Sequence, residues 1–231
     1  SGSQPDPDYG SLGYGNDTLD ADLSGFKLLC EALTSSQIIT MSMKSCHLGP
    51  QAVALLADAI KVMAVLVEVV LDRNFLTGAD QYGRGVDSKM DGFVALCAVL
   101  GKLESVSLAK CGLGPASAAE LAKAVSSAGA GLTVAKIIGN PIGPDGAKLL
   151  IEAFDATPQL QSLCGITPGS TSADLSSSNM GPDDCLILAH ELHAGRAGAG
   201  LVEVVLDQNF LTCADRYGHG VDSEMDGFAA L

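Results

Sequence analysis

Leu66–Leu96 (LVEVVLDRNFLTGADQYGRGVDSKMDGFVAL) recurs as Leu201–Leu231 (LVEVVLDQNFLTCADRYGHGVDSEMDGFAAL), with six substitutions. A chain that copies itself this closely is built from units that pack on their sequence neighbours, so the unit and not the total length sets the core. The copied segment opens on an alternating apolar stretch, continues through a Gly-rich polar loop and ends on a helical pattern. Its shorter relatives define the unit.

They share the spacing apolar-xx-apolar-x-apolar-xx-(Asn/Cys/Ser)-x-apolar. Ile38, Met41, Met43, Cys46 and Leu48 form the first example, and Leu66, Val69, Leu71, Asn74 and Leu76 the second. Leu103 to Leu113, Leu132 to Ile142 and Leu201 to Leu211 repeat it around Cys111, Asn140 and Asn209, and a degenerate copy runs through Ala173, Leu175, Ser178 and Met180. The central apolar-x-apolar has period two, which predicts a short strand with one buried face. The Asn, Cys or Ser falls where the chain leaves that strand, and a short polar group there can bond backbone that would otherwise be buried unpaired.

Gly-Pro follows four of these stretches, at Gly49-Pro50, Gly114-Pro115, Gly143-Pro144 and Gly181-Pro182. Gly permits the reversal and Pro suits the first helical position, so helices are expected over QAVALLADAIKV, ASAAELAKAV, DGAKLLIEAF and DDCLILAHEL. The intervals between landmarks are uneven: Cys46 to Asn74, Cys111 to Asn140 and Ser178 to Asn209 are short, while Asn74 to Cys111 and Asn140 to Ser178 are long. Residues 77–88 lengthen the first long interval and residues 164–170 the second. Asp22–Leu33 matches Lys89–Leu100, with Gly25, Phe26 and Cys30 falling on Gly92, Phe93 and Cys97, so the start of the chain carries the remains of a third long loop.

These residues together resemble leucine-rich repeats of the ribonuclease-inhibitor type, also found in NOD-like receptors and in activators of the Ran GTPase. Units such as ESVSLAKCGLGPASAAELAKAV carry the likeness, which covers residues 20 to 231. It implies an α/β leucine-rich-repeat solenoid, a horseshoe with a concave parallel β-sheet and convex helices. Residues 1–19 are expected as a tail or partial repeat loop, and residues 20–231 as about six to seven repeats. The last repeat ends inside a helix with no polar cap, so the expectation is a natural protein that continues past Leu231 or a partner that covers that end.

Composition restricts the function further. The net charge is −14, from 27 acidic and 13 basic side chains, and nucleic acid is excluded as an expected partner because phosphate binding needs clustered Lys and Arg. Seven cysteines without a CxxC pair suggest free thiols in a reducing, cytoplasmic setting. No apolar run approaches the roughly 18 residues that span a bilayer. Asp20–Glu31 satisfies an EF-hand spacing, but the stretch after Gly25 reads as a helix of the unit and the next copy has Ala98 in place of Glu31. His190, Glu191 and His193 share one helix, but the histidines stand at i and i+3, not the i and i+4 of zinc hydrolases, and the three read as a solvated helix face. With no catalytic constellation, cofactor or metal site indicated, a non-enzymatic protein-binding role is expected.

Strand alternation places Lys44, Glu68, Val70, Asp72, Ser107, Lys136, Ile138, Asp174, Glu203, Val205 and Asp207 on the concave face, a small and mildly acidic floor. Loop candidates are Tyr82 and Arg84, echoed by Tyr217 and His219; the sequence leaves open whether Tyr82 binds or folds back over the core. The partner is a protein of unknown identity. Two other roles are compatible: a structural subunit of a larger complex, and a regulator that contacts a GTPase.

Overall fold

A computed structural model describes residues 19–80, 82–127 and 131–212. Among them, helices and three-residue strands alternate along the chain. Helix α1 (Ser24–Leu33) precedes β1 (Thr40–Ser42), followed by α2 (Pro50–Val62), β2 (Glu68–Val70), α3 (Asp91–Cys97) and β3 (Ser105–Ser107). Then come α4 (Pro115–Ser127), β4 (Val134–Lys136), α5 (Gly143–Ala156), β5 (Ser172–Asp174), α6 (Pro182–Ala194) and β6 (Glu203–Val205). Each Gly-Pro pair sits at the start of its expected helix, with proline in the first two helical positions of α2, α5 and α6.

Every strand pair is parallel, as a helical crossover between consecutive strands requires. Strands β1 to β4 form one sheet in chain order, and β5 and β6 a second. In the first, Met41, Val69, Val106 and Ala135 stand in register and are buried. They meet Leu56, Phe93, Leu121 and Leu150 of the helices in one continuous aliphatic core. The residues on either side of each buried strand position point the other way and are half-buried or exposed.

The strand exits share one backbone conformation. Ser45, Arg73, Lys110, Gly139, Ser177 and Gln208, each directly before a landmark residue, all have φ between 50° and 75°. Only one of them is glycine, so the turn is imposed against the preference of five side chains. Hydrogen bonds of the landmark asparagines hold it. Asn74 Oδ1 accepts from the backbone N–H groups of Cys46 and Leu48, both at 3.0 Å, while its Nδ2 donates to Met43 O and Leu71 O, both at 2.8 Å. Asn140 and Asn209 repeat the arrangement, reaching back to Cys111 and Leu113 and to Ser178 and Met180.

Each amide therefore ties two consecutive exits together with four bonds. The cysteine and serine landmarks receive this support more than they give it. Cys111 Sγ reaches one carbonyl of the preceding exit, Leu71 O at 3.2 Å, and Cys46 Sγ only Lys44 O of its own turn.

Between α5 and α6 the chain contains two extended segments where one was expected. Residues 161–163 continue the first sheet past β4: Ala135 N donates to Ser162 O at 2.9 Å, Ile137 N to Leu163 O at 3.0 Å, and Gln161 N to Thr133 O at 2.7 Å. Residues 172–174 then pair forward with β6. The stretch 164–170, read from the sequence as an insertion, is the step from one sheet to the next. No helix among the described residues is long and apolar enough to cross a membrane.

Asn74→Ala would strip four backbone groups of their partner. The expected loss is about 3 kcal/mol or more in urea unfolding, since each buried group left unpaired costs about 1 kcal/mol or more. Asn74→Asp keeps the acceptor and loses the donors, and falls between wild type and alanine.

Candidate functional site

The open face of the first sheet is laid out in rows by the strand register. Thr40, Glu68, Ser105 and Val134 form one row, and Ser42, Val70, Ser107 and Lys136 the next. Beyond the strand ends come Lys44, Asp72, Ala109 and Ile138. Lys44 is exposed, and Glu68, Val70, Ser107 and Lys136 are half-buried. On the second sheet Asp174, Glu203 and Asp207 are exposed and Val205 is half-buried. Tyr217 and His219 lie outside the described residues.

Ile138 does not belong to this face. It is fully buried. The exit turn of β5 folds back against the exit of β4, and Ser178 O fills the space beside Gly139 where a side chain would begin. Strand alternation alone cannot foresee the burial of Ile138. Asp72 is also withdrawn from solvent: its Oδ1 accepts from Ser107 Oγ at 2.6 Å and from Ala109 N at 2.9 Å.

The same fold-back builds a cavity of about 220 Å³ on the strand-exit side. Lys44, Arg73, Lys110 and Lys136 line it, with Asp72, Asp174 and Ser176–Ser178. Lys110 Nζ donates to Ser177 O at 2.5 Å, bridging the two sheets. Burial lowers the pKa of Lys110, and the charges of Arg73, Lys136 and Lys44 push it the same way, against Asp72. The floor read as mildly acidic is therefore cationic at this point. Arg73 and Lys110 escaped the sequence reading because they stand one residue past the last alternating position. Their left-handed backbone turns them to this side.

The long loop after β2 has a structural base and an exposed tip. Thr77 and Ala79 are buried, and Thr77 Oγ1 donates to Gly112 O of the next exit at 3.1 Å. Tyr82 is 72% exposed, so it does not cover the core. Asp80 organises the tip: Oδ1 accepts from Tyr82 N and Arg84 N, Oδ2 pairs with Arg84 Nε at 2.7 Å, and the guanidinium lies 5.1 Å from the Tyr82 ring centroid. Those backbone and side-chain bonds from Arg84 hold the Asp80 carboxyl below its usual range.

The loop ends on Asp87, whose carboxylate accepts from Gly114 N, Ala116 N and Ser117 N and from Ser117 Oγ, capping α4 of the following unit. Asp20 does the same for α2 through Gly49, Gln51 and Ala52. The two aspartates are separated by the same offset that aligns Asp22–Leu33 with Lys89–Leu100. The first position of the EF-hand-like spacing is thus a helix cap, and α1 begins inside that motif. Among the described residues no group of three or more His, Cys, Asp or Glu is placed to hold a metal ion.

Helix α6 corrects a second reading. Glu191 is buried, not solvated, and its Oε2 accepts from Leu163 N and Cys164 N, both at 2.9 Å. Asp184, also buried, accepts from Gly139 N at 3.1 Å and Gly181 N at 2.9 Å. The two acids serve the amides at the step between sheets, where no asparagine reaches. Burial raises both pKa values, that of Asp184 to about 7 despite its two backbone bonds.

His190 pairs with Asp155 at 2.7 Å across a groove of about 780 Å³ between α5 and α6, and His193 also lines it. Burial likewise raises the thiols of Cys30, Cys97, Cys111, Cys164 and Cys185, which leaves them poor nucleophiles.

No protein-family model matches the chain, and no curated protein matches it significantly.

Two substitutions test these assignments. Asp87→Ala should cost about 1–2 kcal/mol in unfolding free energy, the usual value of a helix cap. The contribution of Asp184 runs with acid. Its native pKa of about 7 lies above the ordinary value of 3.8, so the native state binds the proton more tightly and stability falls as pH rises between them. Asp184→Asn should flatten the unfolding midpoint between those two pH values, compared with wild type in parallel melts.

Proposed function

We propose that this chain is a leucine-rich-repeat solenoid of the ribonuclease-inhibitor type that acts without catalysis by binding a protein partner. The partner docks on the concave face of the sheet and on the strand-to-helix loop at its edge. Support for the solenoid comes from parallel strands in chain order, a helix after each and asparagines bridging successive exits. The observation that carries the binding reading is the cavity on the open face, whose lining comes from β1 to β5, from the strands themselves or from their exits. A surface assembled from that many consecutive units suits recognition of an extended partner.

The loop tip adds a second contact. Tyr82 and Arg84 are exposed yet held in one arrangement by Asp80, and Tyr and Arg are the residue types that most often anchor interfaces. The described acids Asp184 and Glu191 are occupied with backbone amides. That leaves them a structural task, which favours binding over chemistry.

Ser105 and Val134 are register partners in the middle of the face, and neither contributes to the core cluster. Ser105→Arg combined with Val134→Arg should block docking. The expected result is a discrete, stoichiometric partner captured by wild type and recovered at least about tenfold less by the variant, with the unfolding midpoint preserved. Undiminished capture by the variant would remove the concave face from the reading. Tyr82→Ser with Arg84→Ser tests the loop in the same assay.

A further inference from the structure

We infer that the cavity at the strand exits is a docking pocket for a short acidic stretch of the partner, two or three carboxylate side chains in an extended segment. This deepens the protein-binding reading above and rests on it.

Four cations converge on one small space in a protein that carries 13 basic residues against 27 acidic ones. Lys44, Arg73 and Lys110 come from three successive strand exits, and Lys136 from the fourth strand. The two acids in the lining offset them only in part, Asp72 by a through-space attraction to Lys110. Asp72 is held by Ser107 Oγ and Ala109 N, and Asp174 accepts from Ser176 N at 2.9 Å, with only a through-space attraction to Lys136. Among the described residues, none of the four cations has a carboxylate within ion-pair distance. Lys110 reaches only a carbonyl, that of Ser177.

The exit turn common to all six strands carries two of them. Arg73 and Lys110 adopt the left-handed conformation that Gly139 fills without strain at the equivalent position of the next exit. Burial first, and then repulsion from Arg73, Lys136 and Lys44, lower the pKa of Lys110. An anion in the cavity would relieve the repulsion. It would gain charge-assisted hydrogen bonds in a partly desolvated setting, where they are stronger than at an open surface.

Size and surroundings define the ligand. A volume of about 220 Å³ admits a few side chains and no folded element. Successive parallel strands lie about 4.8 Å apart, so three exits span about 10 Å, the reach of about three extended residues. Glu68, Glu203 and Asp207 stand on the same faces of the two sheets, and the net charge is −14. A long polyanion such as nucleic acid would meet that field beyond the pocket, whereas a short acidic run flanked by neutral residues would not.

Selection of short random peptides displayed on phage against the full chain tests this without a known partner. The expected winners carry consecutive Asp or Glu, lose affinity as salt rises, and bind at least about tenfold more weakly to the Arg73→Gln, Lys110→Gln, Lys136→Gln variant. Circular dichroism and an unchanged unfolding midpoint would show that the variant is folded. Competition of a winning peptide with inorganic phosphate and with an acetylated Asp-Glu-Asp peptide separates the two anion chemistries. Displacement by the peptide supports carboxylate recognition, and displacement by phosphate alone overturns it.

Winners that are neutral or basic, winners insensitive to the triple substitution, or no winners at all overturn the acidic assignment. If neutral or basic winners are still abolished by Ser105→Arg with Val134→Arg, protein binding stands and only the acidic specificity falls. If that pair leaves all capture untouched, both readings fall.

Discussion

The backbone at each strand exit sets the terms for the rest of the structure. Three-residue strands offer short ladders, and the chain must then reverse into a helix through a left-handed residue, leaving N–H and C=O groups inside the protein with no ladder partner. A buried group in that state costs free energy comparable to a lost hydrogen bond. One asparagine side chain, with two donors and an acceptor that takes two bonds, serves four such groups in two neighbouring exits. The core residues around it need only be apolar and of about the right size. At Asn74, Asn140 and Asn209 no apolar residue could take the place of the amide.

Where the asparagine is missing, the structure finds a more costly solution. At the step between the two sheets the free amides of Gly139, Leu163 and Cys164 are met by Asp184 and Glu191 of the following helix. Carboxylates accept but cannot donate while ionised, and these two are withdrawn from water, so both are pushed toward the protonated form. The same step brings the β5 exit onto the β3 and β4 exits. Lys110 gains the Ser177 carbonyl there, and the cationic cavity is formed. A local irregularity in a regular chain thus supplies both its least stable polar groups and its most distinctive surface.

How far this was legible in the sequence depended on whether the cause was local. Period-two alternation at Val69 and Val106 and the Gly-Pro pairs before α2 and α4 are local causes, and they predicted those elements well. Residues 161–163 were missed because Leu160, Leu163 and Ile166 lack the alternating pair, although Leu160 follows Leu132 at the interval of a short unit. Arg73 and Lys110 were missed because alternation says nothing once the strand has ended. The burial of Glu191, the approach of Ser178 to Gly139 and the capping by Asp87 depend on contacts between residues of neighbouring units. No short window of sequence contains those.

The capping aspartates bear on how such a chain can grow. Asp20 and Asp87 each lie just before the helix of one unit and hold the helix of the next, so neither unit is complete by itself. A gene duplication that cut between the loop and the following helix would leave one helix end without its acceptor and one aspartate without its donors. Breakpoints that keep donor and acceptor on the same inherited piece escape this. The heritable piece is then the pair of units joined by that aspartate. The near-identical copies beginning at Leu66 and Leu201 lie close to twice as far apart as Asp20 and Asp87, which is the spacing that duplication in whole pairs would leave.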